Sequence, residues 1–416
     1  MNAREQRGLA IAAVCRLSRK DDGTWIVPSQ TAEGKKYEVD PAEKKCTCLD
    51  CTEGGFQCKH FFAVQFTIKR ELGLDGTVLE TKCFSFMETK KYTQNWRAYN
   101  LAQSTEKKRF QVLLQDLCRN IEEPEHLKRG PKPHTRKDSI FAMAFKVYGM
   151  FSSRRSGSDF ADAHQAGFLS RPVPAMKVNQ FFENRVYIPI LKKLIVESAA
   201  PLSVVETEFA VDSTGFATDK FVRWYDQKYG VTRKKALWVK AHISCGVKTN
   251  VITAVRILDK DAADSPQFKP LVRDTAKNFE IKEVSADKAY GSEENYQAVS
   301  ERGGTAFIAF KENATGSIGG LFGKMFGYFK YRQQEFLDRY HKRSNIESTF
   351  SAVKRKFGDS VRSKTEAAMV NEVLCKFLCH NLCCLIQEQC ELGIEPEFWK
   401  EESAERNGEL LQLPAS

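Results

Sequence analysis

The sequence predicts an α/β protein in which a mixed sheet with flanking helices follows a helical region and a small cysteine-rich module. Three observations carry that expectation. Four cysteines crowd into residues 46–58, helical periodicity dominates residues 139–203, and after Pro201 short β-branched and aromatic runs begin to alternate with amphipathic helical stretches.

Composition bounds the function classes. The 416 residues include 64 Lys and Arg against 53 Asp and Glu, a net charge of +11 that favours a polyanionic partner. With 28% charged and 42% hydrophobic residues, a wholly disordered chain and a multi-span membrane protein are both disfavoured. The apolar patch at 9–14 is broken by Cys15 and Arg16 and lacks a small-residue cleavage site, so it does not read as a signal peptide. No window reaches the ~18 uninterrupted apolar residues of a spanning helix. The expectation is a cytoplasmic protein without membrane association, whose 13 cysteines serve as metal ligands or small core residues and not as disulfides.

Residues 1–80 read as the cysteine-rich domain. Residues 81–138 read as a helical segment ending in a linker, where EEPEHLKRGPKPHTRKD combines three prolines with Lys128, Arg129, Lys132, Arg136 and Lys137. That linker is either solvated or a basic arm along nucleic-acid phosphates. Residues 139–203 carry three helical runs, FAMAFKVYGMF, DFADAHQAGFL and NQFFENRVYIPILKKLIVES, with Arg154 and Arg155 in a connecting loop. They make a small helical subdomain that either only packs or reads DNA. Within 204–392, strands are expected at 207–213, 236–247 and 250–258, the last two a hairpin turning at Lys248 and Thr249. A helix at 266–279, a strand at 281–286, a helix at 293–302 and a strand at 305–310 follow, then long helices at 337–358 and 365–391. Three strands, then helix, strand, helix, strand, helix is the element order of the ribonuclease H-like fold. Residues 393–416 form a polar, frayed tail.

The cysteine cluster reads KKCTCLDCTEGGFQCKHFF. Cys46 and Cys48 form one close pair, and Cys58 with His60 a second. Three thiolates and one imidazole complete a closed tetrahedral site for structural Zn2+, and a domain with little apolar sequence needs such a staple. Cys51 is a competing ligand that spacing alone does not exclude. The Cys-x-Cys, Cys-x-His arrangement resembles the SWIM zinc finger, and GTWIVPSQTAEGKKYEVD is similar to the strand pair that leads into it. That resemblance spans residues 24–69 and implies a zinc-stabilised module for binding DNA or protein.

The most informative segment is RYHKRSNIESTFSAVKRKFGDS. At about 100° per residue, Tyr340, Arg343, Glu347 and Lys354 share an arc of about 60°, beside a stripe of Ile346, Phe350, Val353 and Phe357 that can bury the helix. An ordinary amphipathic helix with salt bridges would look the same. Two further carboxylates shift the balance. Asp212 sits inside the apolar strand TEFAVDS, where an unpaired charge is costly, and Asp287 ends the fourth strand. Strands one and four are neighbours in the ribonuclease H-like order, so the two aspartates can meet while the last helix brings Glu347 across them. Three carboxylates around one point call for hard divalent cations, Mg2+ or Mn2+, that can drive in-line phosphoryl transfer.

Tyr340, Arg343, Glu347 and Lys354 satisfy the motif Tyr-x2-Arg-x3-Glu-x6-Lys, and with VDSTG and ADKAYGS the chain resembles the DDE transposases of bacterial and archaeal insertion sequences over residues 139–387. The resemblance implies that Asp212, Asp287 and Glu347 hold the metals, that Arg343 and Lys354 bind phosphate near the cut, and that Tyr340 helps position the strand end. It also implies duplex DNA as partner, both element ends and target, a homodimer that holds two ends, and a nucleoid-associated location. Residues 341–364 carry seven Lys or Arg against two acidic residues, so Lys342 and Arg355 are expected on the same phosphate track. The connector at 311–336, with GSIGGLFGKMFGYFKYR, is too short for a large inserted domain and reads as a hairpin packing its own aromatics or a lid stacking on a base.

Other polar residues have plainer readings. His242 reads as a hydrogen-bonded strand histidine beside Asp212, and of Asp259, Asp261 and Asp264 at least one caps the helix that starts near Pro266. Cys375, Cys379 and Cys383 with His380 imitate a metal stripe, but the surrounding leucines and phenylalanines favour core packing. The function expected is strand cleavage and transfer. The alternatives are a domesticated regulatory protein with an idle site, or a metal-dependent nuclease without strand transfer.

Overall fold

The computed structural model describes residues 3–15, 17–29, 35–53, 57–71, 95–125, 132–218, 238–258, 263–311, 314 and 319–398. Lys128, Arg129, Asp259, Asp261 and the end of the expected tail lie outside the described residues. The chain divides into two compact units, Met1–Thr93 and Gln94–Ser416. The helices of residues 139–203 share one core with the sheet.

In the first unit, α1 (Ala3–Val14) precedes an antiparallel meander of β1 (Ser18–Arg19), β2 (Trp25–Pro28), β3 (Lys36–Asp40) and β4 (Lys45–Cys46), followed by α2 (Leu49–Thr52) and α3 (Lys59–Glu71). Alternation turns Trp25 and Val27 inward on β2, where they meet Val39, Ile11, Phe61 and Val64.

The second unit opens with α4 (Trp96–Cys118), α5 (Arg136–Gly149), α6 (Ser156–Gln165), α7 (Lys177–Glu183) and α8 (Tyr187–Ala199). Thr135 caps α5 by accepting the Asp138 amide, and α5 ends at Met150 in the left-handed region. The run expected as one helix at 179–198 is two, because Asn184 is extended and its Oδ1 takes the Val186 amide at 3.0 Å. The sheet comprises β5 (Glu208–Ala217), β6 (Trp238–Gly246), β7 (Ile252–Leu258), β8 (Glu283–Ala286) and β9 (Thr305–Ile308), with α9 (Ser265–Thr275) and α10 (Glu293–Ser300) between them. Its order is β7-β6-β5-β8-β9, antiparallel from β5 to β7 and parallel from β5 through β8 to β9. In chain order that is three-two-one-four-five, the ribonuclease H-like arrangement. The β6–β7 turn is held by buried Glu206, which accepts the Lys248 amide at 2.9 Å. Gly246 must be glycine there, since a Cβ would lie 2.5 Å from the Glu206 carboxyl.

After β9 come α11 (Gly320–Tyr331), α12 (Gln333–Tyr340), a 3-10 turn at His341–Arg343, α13 (Ser344–Phe357) and α14 (Glu366–Leu392). Two expectations are corrected here. The helix expected unbroken over 337–358 is interrupted by the 3-10 turn, and the aromatic connector forms a helix instead of a hairpin or lid. Phe322, Phe326 and Phe329 of α11 and Phe336 of α12 surround the Phe310 ring at 5.2–5.7 Å, so these phenylalanines are consumed in packing, whereas Tyr331 at the end of α11 is exposed.

Helix α14 is long and apolar enough to cross a membrane by length and composition, yet it is buried on every face from Ala367 to Ile386. Helices α4, α5, α7 and α8 all pack on it. Cys375 and Cys379 belong to this core, as expected. Asn381 ties three elements together by accepting the Ile252 amide at 2.8 Å and donating to Ile195 O at 3.1 Å and Ile252 O at 2.7 Å. Asn381→Leu strands a buried amide and its acceptors, so denaturant unfolding should report a loss of roughly 2–4 kcal/mol; an unchanged midpoint would show that those bonds do not hold α14 to the sheet.

Candidate functional site

The cysteine cluster closes as its spacing suggests. Cys46 ends β4, Cys48 stands at the N-cap of α2, and Cys58 and His60 flank the first residue of α3. All four are buried, and their ligand atoms lie within 4.8 Å of one another. His60 Nδ1 is 3.9 Å from Cys46 Sγ and 3.8 Å from Cys58 Sγ, close to the ~3.5–3.8 Å edges of a tetrahedron built on zinc bond lengths. The contact with Cys46 pulls the Cys58 thiol down, and the same contact, with burial, pushes Cys46 up. Cys51, half-buried, is not part of this group. The donor set is compatible with zinc.

The carboxylate site is assembled by strand register. Parallel pairing of Val211 with Ala286 places the next residues, Asp212 and Asp287, side by side. Each spends one oxygen on a following amide: Ser213 N donates to Asp212 at 2.7 Å, and Lys288 N donates to Asp287 at 2.7 Å. Burial pushes the Asp212 carboxyl up, its amide bond and Arg343 pull it down, and Asp287 and Asp264 push it further up. Arg343 donates to Asp212 Oδ2 at 2.9 Å and to Glu347 Oε1 at 3.1 Å, so one guanidinium bridges the first and last carboxylates. Tyr340 lies beside it; burial pushes the phenol up while Arg343 pulls it down. Asp212, Asp287, Tyr340, Arg343 and Glu347 are thus brought together. The second oxygens of the two aspartates point to a hard-cation donor set, in which Arg343 now occupies the neutralising role.

The remaining expected cations are distributed differently. Lys354 stands seven residues past Glu347, about 10 Å along α13, with Nζ 5.6 Å over the Phe216 ring. Arg355 is exposed and donates to Ser351 Oγ at 3.0 Å. Lys342, expected on the phosphate track, is instead paired with Glu208 at 2.7 Å and Glu283 at 2.9 Å. The register Glu208↔Glu283 sets two like charges opposite each other, and Lys342 with Arg339 neutralises them. That cluster has no motif, and only the strand register reveals it.

Asp264 occupies the N-cap of α9 but makes no side-chain cap bond; it pairs with Lys240 at 2.6 Å and lies 3.7 Å from His242. His242 is wholly buried with Nδ1 3.4 Å from Tyr290 Oη, and burial lowers it to about 4, so it is a neutral core histidine. Its neighbour across the strands is Ser213, one residue beyond Asp212. His380 is buried, with Nε2 2.9 Å from Asn250 O and 3.4 Å from Cys384 Sγ.

Residues 205–382 match the family described as Transposase DDE domain. The match supports a DDE transposase domain in that segment, which is less than half of the chain. No curated protein matches the chain. A solved structure titled "Cryo-EM structure of piggyBac transposase synaptic complex with hairpin DNA (SNHP)" aligns at 9% identity and a TM-score of 0.36, covering 69% of this chain and 77% of that one. A likeness that weak carries no argument here.

Two measurements check the geometry. Metal analysis of the purified chain should find one equivalent of zinc, lost in Cys58→Ala; a metal-free wild type with intact far-UV dichroism would refute the site. Arg343→Gln removes the positive charge that competes with a dication, so Mn2+ affinity by electron paramagnetic resonance should rise about tenfold, ~1.4 kcal/mol. Unchanged or weaker Mn2+ binding would mean that the guanidinium does not stand in for a cation.

Proposed function

We propose that the chain is an insertion-sequence DDE transposase, which cuts DNA at the ends of its element and joins them to target DNA. The observation that carries this reading is the convergence of Asp212 and Asp287 by parallel register, with Arg343 bridging to Glu347, inside a segment that matches a transposase DDE domain. The Tyr-x2-Arg-x3-Glu-x6-Lys spacing of Tyr340, Arg343, Glu347 and Lys354 supports the insertion-sequence assignment.

In this reading Asp212, Asp287 and Glu347 would hold Mg2+ or Mn2+, which would supply Lewis-acid activation of the attacking oxygen and stabilisation of the leaving one. Asp212 and Asp287 are oriented by their amide bonds, so one oxygen of each is presented in a fixed direction. Arg343, released from Asp212 and Glu347, has a planar fork suited to the scissile phosphate, and Lys354 offers a point charge further along the strand. Tyr340 packs beside the strand end. Water would attack the phosphodiester at the element end and displace a strand end bearing a 3'-hydroxyl, and that hydroxyl would then attack a target phosphodiester, forming the new P–O bond as the target's own 3'-oxygen leaves with the proton. The first unit is a SWIM-type zinc module that binds DNA or a partner subunit. Two element ends held together imply a homodimer, and the substrate implies the nucleoid of a bacterial or archaeal cytoplasm.

Incubation with duplex DNA carrying the element ends, in Mg2+ or Mn2+, should give nicked, excised and joined products. Asp212→Asn and Glu347→Gln should each reduce them by at least about 10³-fold without loss of DNA binding. Identical products from wild type and Asp212→Asn would rule out the carboxylate chemistry. Cleavage without joining would assign a nuclease, and binding without cleavage a regulatory protein.

A further inference from the structure

A groove of about 380 Å³ opens between α5, α7 and the loop that joins α13 to α14. Lys146, Ser152, Ser153, Arg362 and Lys364 line it, with Glu183 as a single lining carboxylate. A smaller cavity of about 110 Å³ continues it past Gly358 and shares Lys146 and Arg362. Arg362 and Lys364 are exposed, and none of the three cations is ion-paired to a described carboxylate. Lys146 is mostly buried over the Phe182 ring at 5.3 Å, and burial lowers its pKa. Elsewhere in this segment Lys342, Arg343 and Lys356 are all neutralised by carboxylates. The groove therefore gathers two of the four cations of this segment that no described carboxylate holds, together with Lys146.

The loop that carries two of them is immobilised at unusual expense. Glu372, 6% exposed, accepts the Arg362 amide at 3.0 Å and the Ser363 amide at 2.9 Å. Lys376, 2% exposed, donates to Gly358 O at 2.9 Å and Ser360 O at 2.7 Å. These charged residues stand one turn apart on α14, and both spend their bonds on the loop backbone. Burying a charge is costly, so the gain is a loop of fixed shape that presents Arg362 and Lys364 outward. The same loop is bonded to the end of the Asp212 strand, with Val361 N donating to Ala217 O at 2.9 Å. Asp212 and Ala217 are five residues apart, about 17 Å of strand, which equals about five base-pair steps at ~3.4 Å.

We propose that this groove is a second phosphate-binding surface, which grips the backbone of duplex DNA about five base pairs from the carboxylate site. The inference rests on the reading of the chain as a DNA-acting enzyme. Its occupant is a duplex, because cations carried on a loop of fixed shape beside the cut suit a regular phosphate spacing, and the aromatic that lines the groove, Phe182, is 3% exposed and covered by Lys146, so it offers no free face to an unpaired base.

The test is the salt dependence of binding by the full zinc-loaded chain to a fluorescein-labelled duplex of arbitrary sequence, without added Mg2+ or Mn2+ so that no cutting occurs and the zinc stays bound. Each lost phosphate contact lowers the slope of log K against log salt by about 0.9, so Arg362→Gln/Lys364→Gln should lower it by about 2. The charge-matched control Lys269→Gln/Arg273→Gln lies at a separate cavity between α9 and α10 and should leave the slope unchanged. An unchanged slope in the groove variant, or an equal fall in the control, overturns the groove. Wild-type protein that does not bind duplex DNA at all overturns the DNA-acting reading itself, and that result is distinct because it precedes any variant.

Discussion

The buried helix α14 carries polar groups that must find partners, and the site depends on where it finds them. Asn371, Glu372, Lys376, His380 and Asn381 are all less than 9% exposed, at positions where unpaired polar atoms would cost several kcal/mol each. None forms its principal bond within the helix. Asn371 donates to Phe182 O and Asn184 O, Glu372 and Lys376 hold the 358–363 backbone, His380 faces Asn250 O, and Asn381 holds Ile252. The α7–α8 break, the β6–β7 turn and the end of β5 are therefore fixed by one element. A leucine helix of the same length would bury more apolar area but leave those three irregular segments without a template.

The 3-10 turn at His341–Arg343 does for the charges what α14 does for the backbone. At about 120° per residue it sends consecutive side chains in different directions. Lys342 turns to the Glu208–Glu283 pair and Arg343 to Asp212 and Glu347. The parallel β5–β8 register creates both acidic pairs, one near the start of the two strands and one at the end of β8. The first is neutralised permanently by Lys342 and Arg339. The second is met by one guanidinium that also serves Glu347, a 63% exposed carboxylate in high dielectric. That asymmetry suits a structural pair and an exchangeable one.

Much of this was legible in the sequence where periodicity and spacing act locally. The strand order after Pro201, the hairpin, Asp212, Asp287, Glu347 and the Cys46, Cys48, Cys58 and His60 set all follow from short-range pattern. The failures have a common cause in long-range contacts. Lys342 looked free because Glu208 and Glu283 are over fifty residues away, and nothing short of the register brings them to it. The helical region looked separable because its runs are amphipathic, but the partner for their apolar faces is α14, some two hundred residues later.

The net charge of +11 is accordingly a poor guide until it is divided by partner. Of seven Lys and Arg between 341 and 364, Lys342, Arg343 and Lys356 are held by carboxylates, whereas Lys354, Arg355, Arg362 and Lys364 are not. The unpaired four occur after Glu347 in the chain, and the paired Lys342 and Arg343 before it. Surface cations without partners cost little in water, so stability does not require them to cluster. Their clustering on α13 and on a loop bolted down by buried charges is better explained by a polyanion that runs past the carboxylates than by the fold, which has already neutralised the cations it needs.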